Sequence, residues 1–237
     1  MSESQTDRYI KGRGRPGFFL FRINRGNRAM VLLMALFLQI IMQPLDHNFP
    51  IISTLLQLSI IFAAIFMVAD SREHLLTGLG LGIPASLILI FTPRHEYGTL
   101  IWVAYVLILF LYLHVIRLML IQVFSTKKIT IDTIALAVCA YVLLGFLWQL
   151  FYIPLAVLDP GAFSFNVTNA TTTLQDNLHY FSFVTLTTTG YGDTLPISPL
   201  ARSLAILEAL TGVLYLAVLI SRLVGQYSSN RRVSESD

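Results

Sequence analysis

The chain has 237 residues, of which 55% are hydrophobic and only 12% charged, where a soluble domain typically carries about 25% charge. With a mean hydropathy of +0.71, lipid is the solvent for most of it, which excludes an ordinary soluble globule. The formal net charge of +3 is modest, so the placement of the charges carries more information than their sum, and no nucleic-acid partner is expected.

Residues 1–28 are polar and basic, with Arg8, Lys11, Arg13, Arg15, Arg22, Arg25 and Arg28. They lack an early apolar core with a small-residue cleavage site, so no cleaved signal peptide is expected. Phe18, Phe19, Leu20 and Phe21 interrupt the basic tract. Such a mixture suits the surface of an anionic membrane; a plain disordered tail that marks one side is the alternative.

Six apolar segments follow as candidate spans: Ala29–Gln43 (short), Ile51–Ala69, Leu75–Thr92, Thr99–Phe124, Ile131–Leu158 and Leu200–Gln226. About 20 helical residues cross the hydrocarbon. Gly78, Gly80, Gly82 and Pro84 soften the third segment, yet proline is tolerated in a membrane helix whose neighbours satisfy the freed carbonyl. The same holds for Pro154 in the fifth. Cys139, the single cysteine, lies within an apolar run and reads as a small packing residue; no disulfide framework is available.

The fourth segment occupies a sensor-like position but contains "LYLHVIRLMLIQV", with Arg117 and His114 in place of an arginine repeat. One charge moved through the whole field gains only about 2.3 kcal/mol per 100 mV. Arg117 lies near the segment end, where it can snorkel. Strong voltage sensing is not expected, and His114 reads as a packed, hydrogen-bonded histidine. Residues 29–126 thus form a peripheral four-helix domain, 127–228 a second module, and 229–237 a short tail.

Orientation follows from Lys and Arg. With the N-terminus in the cytoplasm, the seven basic residues of residues 1–28 lie inside together with Arg72, Arg117, Lys127, Lys128, Arg222, Arg231 and Arg232, while only Arg94 and Arg202 lie outside. Six crossings return the C-terminus to the cytoplasm. Asn166-Val167-Thr168 and Asn169-Ala170-Thr171 match glycosylation sequons on the outer side, and read as ordinary turn residues.

Between the last two spans, Leu174–Leu186 has the length of a re-entrant helix rather than of a crossing. It leads into "TLTTTGYGDTLP", residues 185–196. Non-helical backbone at membrane depth persists only if buried in protein or lining a watery path. Glycine reaches positive φ at little cost, so Gly190 and Gly192 can take left-handed positions in an alternating ribbon that turns successive carbonyls to one side. Thr188 adds a hydroxyl below them. One such ribbon encloses nothing; four around an axis give stacked oxygen cages that can replace the water shell of a monovalent cation.

Thr188-Thr189-Gly190-Tyr191-Gly192-Asp193 resembles the potassium-channel selectivity filter, usually Thr-Val-Gly-Tyr-Gly-Asp. The resemblance runs from about residue 129 to 228, and Pro196, Arg202 and Gly212 fall at matching places. It implies an all-α integral membrane protein of six transmembrane helices, a re-entrant pore helix and a filter loop, assembled as a homotetramer. It implies oxygen ligands for K+ from Thr188, Thr189, Gly190, Tyr191 and Gly192, with Asp193 at the outer mouth. Tyr180 and Phe181 stand where well-studied members have a pair of tryptophans bracing the filter. Val184 stands where some members have a glutamate paired with the filter aspartate, so Asp193 is expected to lack that partner. Thr189 stands for the usual valine. Gly212 falls at the family's inner-helix gating glycine, with hinge and close packing both open.

Glu208, four residues before Gly212, is costly in a membrane span without a partner or water. It either hydrogen-bonds the pore helix behind the filter, at a group such as Thr185, or faces the cavity below the filter. No phosphate loop, zinc spacing or catalytic constellation occurs, so no enzyme activity and no cofactor are expected beyond K+ as the permeant ion. The expectation is a passive potassium channel in a plasma membrane, a bacterial inner one on the reading of its short tails. A weakly selective cation channel, a potassium-uptake transporter and a non-conducting accessory protein are the rivals. Membrane lipid, anionic at residues 1–28, is the other expected partner.

Overall fold

The computed structural model describes residues 25–43, 50–68, 71–92, 98–126, 129–166 and 173–234. Most of the basic N-terminal segment, Arg94, Lys127, Lys128, residues 167–172 with most of both sequons, and residues 235–237 lie outside the described residues. Among these residues seven helices appear in chain order: α1 Arg25–Met42, α2 Pro50–Val68, α3 Arg72–Phe91, α4 Thr99–Ser125, α5 Ile131–Leu158, α6 Leu174–Leu186 and α7 Pro199–Ser234. The all-helical expectation needs one correction. Phe163–Phe165 (β1) and Thr194–Pro196 (β2) pair as an antiparallel ribbon, with Phe163 opposite Pro196 and Phe165 opposite Thr194. This ribbon ties the chain leaving α5 to the chain leaving the glycine-rich loop.

Among the described residues four helices, α3, α4, α5 and α7, are long and apolar enough to cross a membrane; α1 and α2 contain shorter apolar stretches, Arg28–Met42 and Thr54–Met67. The helix starts follow local chemistry. Ser71 caps α3 by accepting from the His74 amide, and Thr130 and Thr133 form a capping box on α5. Side-chain oxygens there satisfy amides that have no partner within the helix. Pro84 and Pro154 lie inside α3 and α5 without ending them, as neighbouring helices permit in an apolar bundle.

The helices α1 to α4 pack on one another, and α1 and α4 both pack on α5. On its other side α5 meets α6 and α7, and α6 packs against α7. Helix α5 is thus a common wall, and its buried residues are spread around it, as expected for a helix apolar all round. In contrast α7 buries one stripe, Ala201, Glu208 and Gly212, and leaves Leu207, Leu210, Leu214 and Ile220 exposed. Cys139 is fully buried, and its thiol donates to the Ala29 carbonyl at 3.4 Å. The ring of His114 lies 5.5 Å from that of His74.

Candidate functional site

The pore-helix candidate α6 begins with a capping box. The Thr173 hydroxyl oxygen accepts from the Asp176 amide, and the Asp176 carboxylate accepts from the Thr173 amide at 2.9 Å. Thirteen residues later the helix stops at Leu186, because Thr188, the second residue beyond it, leaves the right-handed region. Thr188 has φ +57°, Gly190 +58° and Gly192 +78°; among the described residues no other position has positive φ. Every second residue from 188 to 192 is therefore left-handed. The two glycines were expected; Thr188, a β-branched residue for which this conformation is unusual, was not. What holds it is the scaffold beneath. The amides of Thr188, Thr189 and Gly190 all donate back to the last turn of α6, to Thr185 O at 2.9 Å and to Val184 O at 2.9 and 3.4 Å.

The carbonyls of the same ribbon behave differently. Among the described residues, no carbonyl from Thr188 to Gly192 accepts a hydrogen bond, and Thr187 to Gly192 are exposed in the single chain. The amides of Thr188, Thr189 and Gly190 are thus turned into the protein, while the ribbon's carbonyls have no partner among the described residues. The Thr189 side chain also points back. Its hydroxyl lies 2.9 Å from that of Thr187, which donates to Phe183 O at 2.7 Å. A hydroxyl at the usual valine position is absorbed by the scaffold rather than added to the free-carbonyl side.

Val184 leaves Asp193 without the glutamate partner, as expected, but another side chain on α6 takes its place. The Tyr180 hydroxyl donates to Asp193 Oδ2 at 2.7 Å, and the Tyr180 ring lies parallel to that of Tyr191, at 6.5 Å and 6°. Asp193 Oδ1 accepts from the Thr194 amide, and its carbonyl accepts from the Asn166 amide. Phe181, the other half of the expected brace, points away from the loop. It is buried against Tyr152 and Phe163, with ring centroids at 5.2 and 5.5 Å. Consecutive residues on a helix diverge by about 100°, so one of the two reaches the loop and the other anchors α6 to α5.

Glu208 is fully buried at the meeting of α5, α6 and α7. Its Oε1 lies 2.5 Å from Ser182 Oγ, and its Oε2 accepts from the Tyr152 hydroxyl at 2.5 Å. Of the two expected placements the pore-helix one is observed, but the partners are Ser182 and Tyr152 rather than Thr185.

Gly212 lies against the end of α6. A β-carbon there would meet the Leu186 carbonyl oxygen at 2.0 Å, and α7 runs unbroken through it. Here Gly212 is a point of close approach. Sequence reasoning missed its counterpart, Gly145, where a β-carbon would meet the Phe183 ring at 2.7 Å. It also missed Tyr141, whose hydroxyl donates to Leu186 O at 3.2 Å. The available signal was a lone glycine inside an otherwise apolar helix, since membrane helices touch at small residues. Two glycines, one from each flanking helix, thus let α6 sit close to both α5 and α7.

Residues 137–228 match the model of a family described as ion channel. The matched residues include the motif that resembles a potassium-channel filter, and four of the described helices are long and apolar enough to cross a membrane. Two-pore potassium channel 4 of Arabidopsis thaliana is 29% identical over 105 residues, covering 44% of this chain and 37% of that protein. Inward rectifier potassium channel Kirbac3.1 of Paramagnetospirillum magnetotacticum is 47% identical over 49 residues, covering 21% of this chain and 17% of that protein. The chain therefore spans well under half the length of the relatives it matches. No solved structure matches it.

Proposed function

We propose that the chain is the subunit of a homotetrameric, potassium-selective channel that conducts passively and without strong voltage dependence. The observation that carries this reading is the split of the ribbon's polar groups: amides of residues 188–190 bonded to α6, and carbonyls of residues 188–192 without a partner among the described residues. Left-handed and right-handed residues alternate there, an arrangement that turns carbonyls to a common side. Unpaired carbonyls at membrane depth are costly unless something replaces water. Four ribbons around an axis supply that replacement as rings of oxygen around a dehydrated cation. K+ is then the permeant ion, held by Thr188, Thr189, Gly190, Tyr191 and Gly192, and no further cofactor enters.

The exposed stripes of α7 and the exposed ribbon supply the surfaces four subunits would share. Tyr180 holds Asp193 at one end of the ribbon, and the negative end of the α6 dipole, at Leu186, lies at the other. Glu208 supports α6 from behind. Gly212 allows α7 to touch α6 in this state and is a hinge only if that contact opens. In the membrane α1 and α2 cross together with the other four helices, so both termini lie in the cytoplasm and residues 1–28 rest near anionic lipid. A bacterial plasma membrane suits the charge distribution.

Liposome flux and reversal potential in mixed potassium and sodium test the proposal. Potassium-selective flux from a tetramer, abolished by Gly190→Ala, is the expected result. Equal potassium and sodium permeability would replace it with a weakly selective cation channel. Absence of any flux from correctly assembled protein would leave an accessory role.

A further inference from the structure

Glu208 invites a count of the hydrogens around it. Three oxygen–oxygen contacts run through it in series. Tyr152 Oη lies 2.5 Å from Oε2, Ser182 Oγ lies 2.5 Å from Oε1, and the same Ser182 Oγ lies 2.7 Å from the Gly145 carbonyl oxygen. All three are O–H···O distances, so three hydrogens are required. Tyr152 brings one, Ser182 brings one and the Gly145 carbonyl brings none. An ionised carboxylate also brings none. Ser182 would then have to donate to two acceptors with a single hydrogen, leaving one pair of oxygens in bare contact. Glu208 and Ser182 are both fully buried, so water cannot fill the gap.

A carboxylic acid closes the count. Tyr152 donates to Oε2, the Glu208 hydroxyl at Oε1 donates to Ser182, and Ser182 donates to the Gly145 carbonyl. The surroundings agree. The titratable neighbours on the packed elements are Tyr141 and Tyr152 of α5 and His179 of α6. Tyr141 donates to Leu186 O. His179 Nδ1 lies 2.9 Å from Gln149 Oε1, an acceptor whose amide nitrogen is already placed on Gln175 O, so Nδ1 carries the hydrogen there. On α7 itself Arg202 is exposed and donates to Pro196 O. Among the described residues no cation pairs with Glu208.

We propose that Glu208 is a proton-binding site at the joint of α5, α6 and α7, and that release of this proton loosens the seat of α6 and so shuts down conduction. The first half stands on the hydrogen count alone; the link to conduction rests on the channel reading above. Ionisation leaves one contact unbridged in a dry site, where an unpaired carboxylate is strongly disfavoured. The carboxylate is relieved by separation from Ser182, which moves the helix to which the ribbon's amides are bonded. Conduction is thus present while Glu208 is protonated and is lost as rising pH removes the proton.

The test uses the full-length protein in liposomes, with infrared difference spectra of wild type minus Glu208→Gln and potassium flux measured across a pH series. Gln retains a side-chain donor for Ser182, so the variant is expected to fold and to conduct. The expected result is a protonated-carboxyl C=O band specific to the wild type at neutral pH, lost on alkalinisation together with flux, while Glu208→Gln shows a flat profile. Tyr152→Phe, which removes one donor, should shift the band without abolishing it. Absence of the band at neutral pH would overturn the proton site whether or not the protein conducts. A band with identical pH profiles in wild type and Glu208→Gln would overturn the link to conduction. A band in a protein that carries no potassium would support the proton site and overturn the channel reading.

Discussion

The joint behind α6 and the ribbon in front of it treat their polar groups in opposite ways. In the joint, Glu208, Ser182, Tyr152 and the Gly145 carbonyl are all engaged with one another within one chain and are closed to solvent. In the ribbon, the amides of Thr188, Thr189 and Gly190 are satisfied by α6, while the carbonyls of residues 188–192 have no partner among the described residues. The glycines divide the same way. Around Gly212 and Gly145 there is no room for a methyl group, whereas around Gly190 and Gly192 nothing lies within 4 Å and the constraint is the sign of φ. The difference teaches that the scaffold closes within one chain, whereas on the proposed reading the site is closed by other subunits. The scaffold is decided by packing, the ribbon by backbone conformation and by what other subunits would bring.

Substitutions on the two sides of this divide should fail differently. The largest effect is expected from Gly212→Ala. With the Leu186 carbonyl oxygen 2.0 Å from the new β-carbon, the change costs about 1–3 kcal/mol of overpacking or more, and should lower the thermal midpoint of the detergent-solubilised protein as well as abolish flux. A thermal midpoint equal to wild type would mean that α7 does not press on α6. Gly190→Ala should abolish potassium flux with little change in the thermal midpoint. The added methyl has space, but a left-handed alanine costs roughly 1–2 kcal/mol in each ribbon. A Gly190→Ala protein that melts as early as Gly212→Ala would erase the distinction between the two regions.

Tyr180→Phe removes one hydrogen bond to Asp193, worth about 1 kcal/mol at a half-exposed site. It should shorten the duration of conducting episodes in single-channel records without preventing them. Unchanged records would show that the 2.7 Å contact does not hold the loop. The smallest effect is expected from Gly80→Ala in α3. No atom lies within 4 Å of the new methyl, so stability should stay or rise by up to about 1 kcal/mol, with flux unaltered. A loss of flux there would give the peripheral helices a part in conduction that the packing does not indicate.

Much of the architecture was legible because lipid imposes simple rules. Apolar runs of the right length become helices, and the bounds expected for the fourth and fifth spans fall within a residue or two of α4 and α5. Leu174–Leu186, too short to cross, is α6 to the residue. Alternation in the ribbon was legible at Gly190 and Gly192, because glycine is the residue for which positive φ is cheap. At Thr188 it was not, because the conformation there is held by amide bonds to α6 rather than by residue type. Whether α1 and α2 cross the membrane is likewise not written in their composition, since each is close to the minimum length.

The sequence by itself determined that the chain lives in lipid, that a short helix runs into a glycine-bearing ribbon, and that Glu208 needs a partner in the membrane. Only the tertiary structure decided who the partners are: Ser182 and Tyr152 for Glu208, Tyr180 for Asp193, Leu186 for Gly212. The reason is physical. Membrane residence and helix formation follow from local chemistry summed along the chain, whereas a hydrogen-bond partner or a point of closest approach depends on how helices far apart in sequence are set against one another.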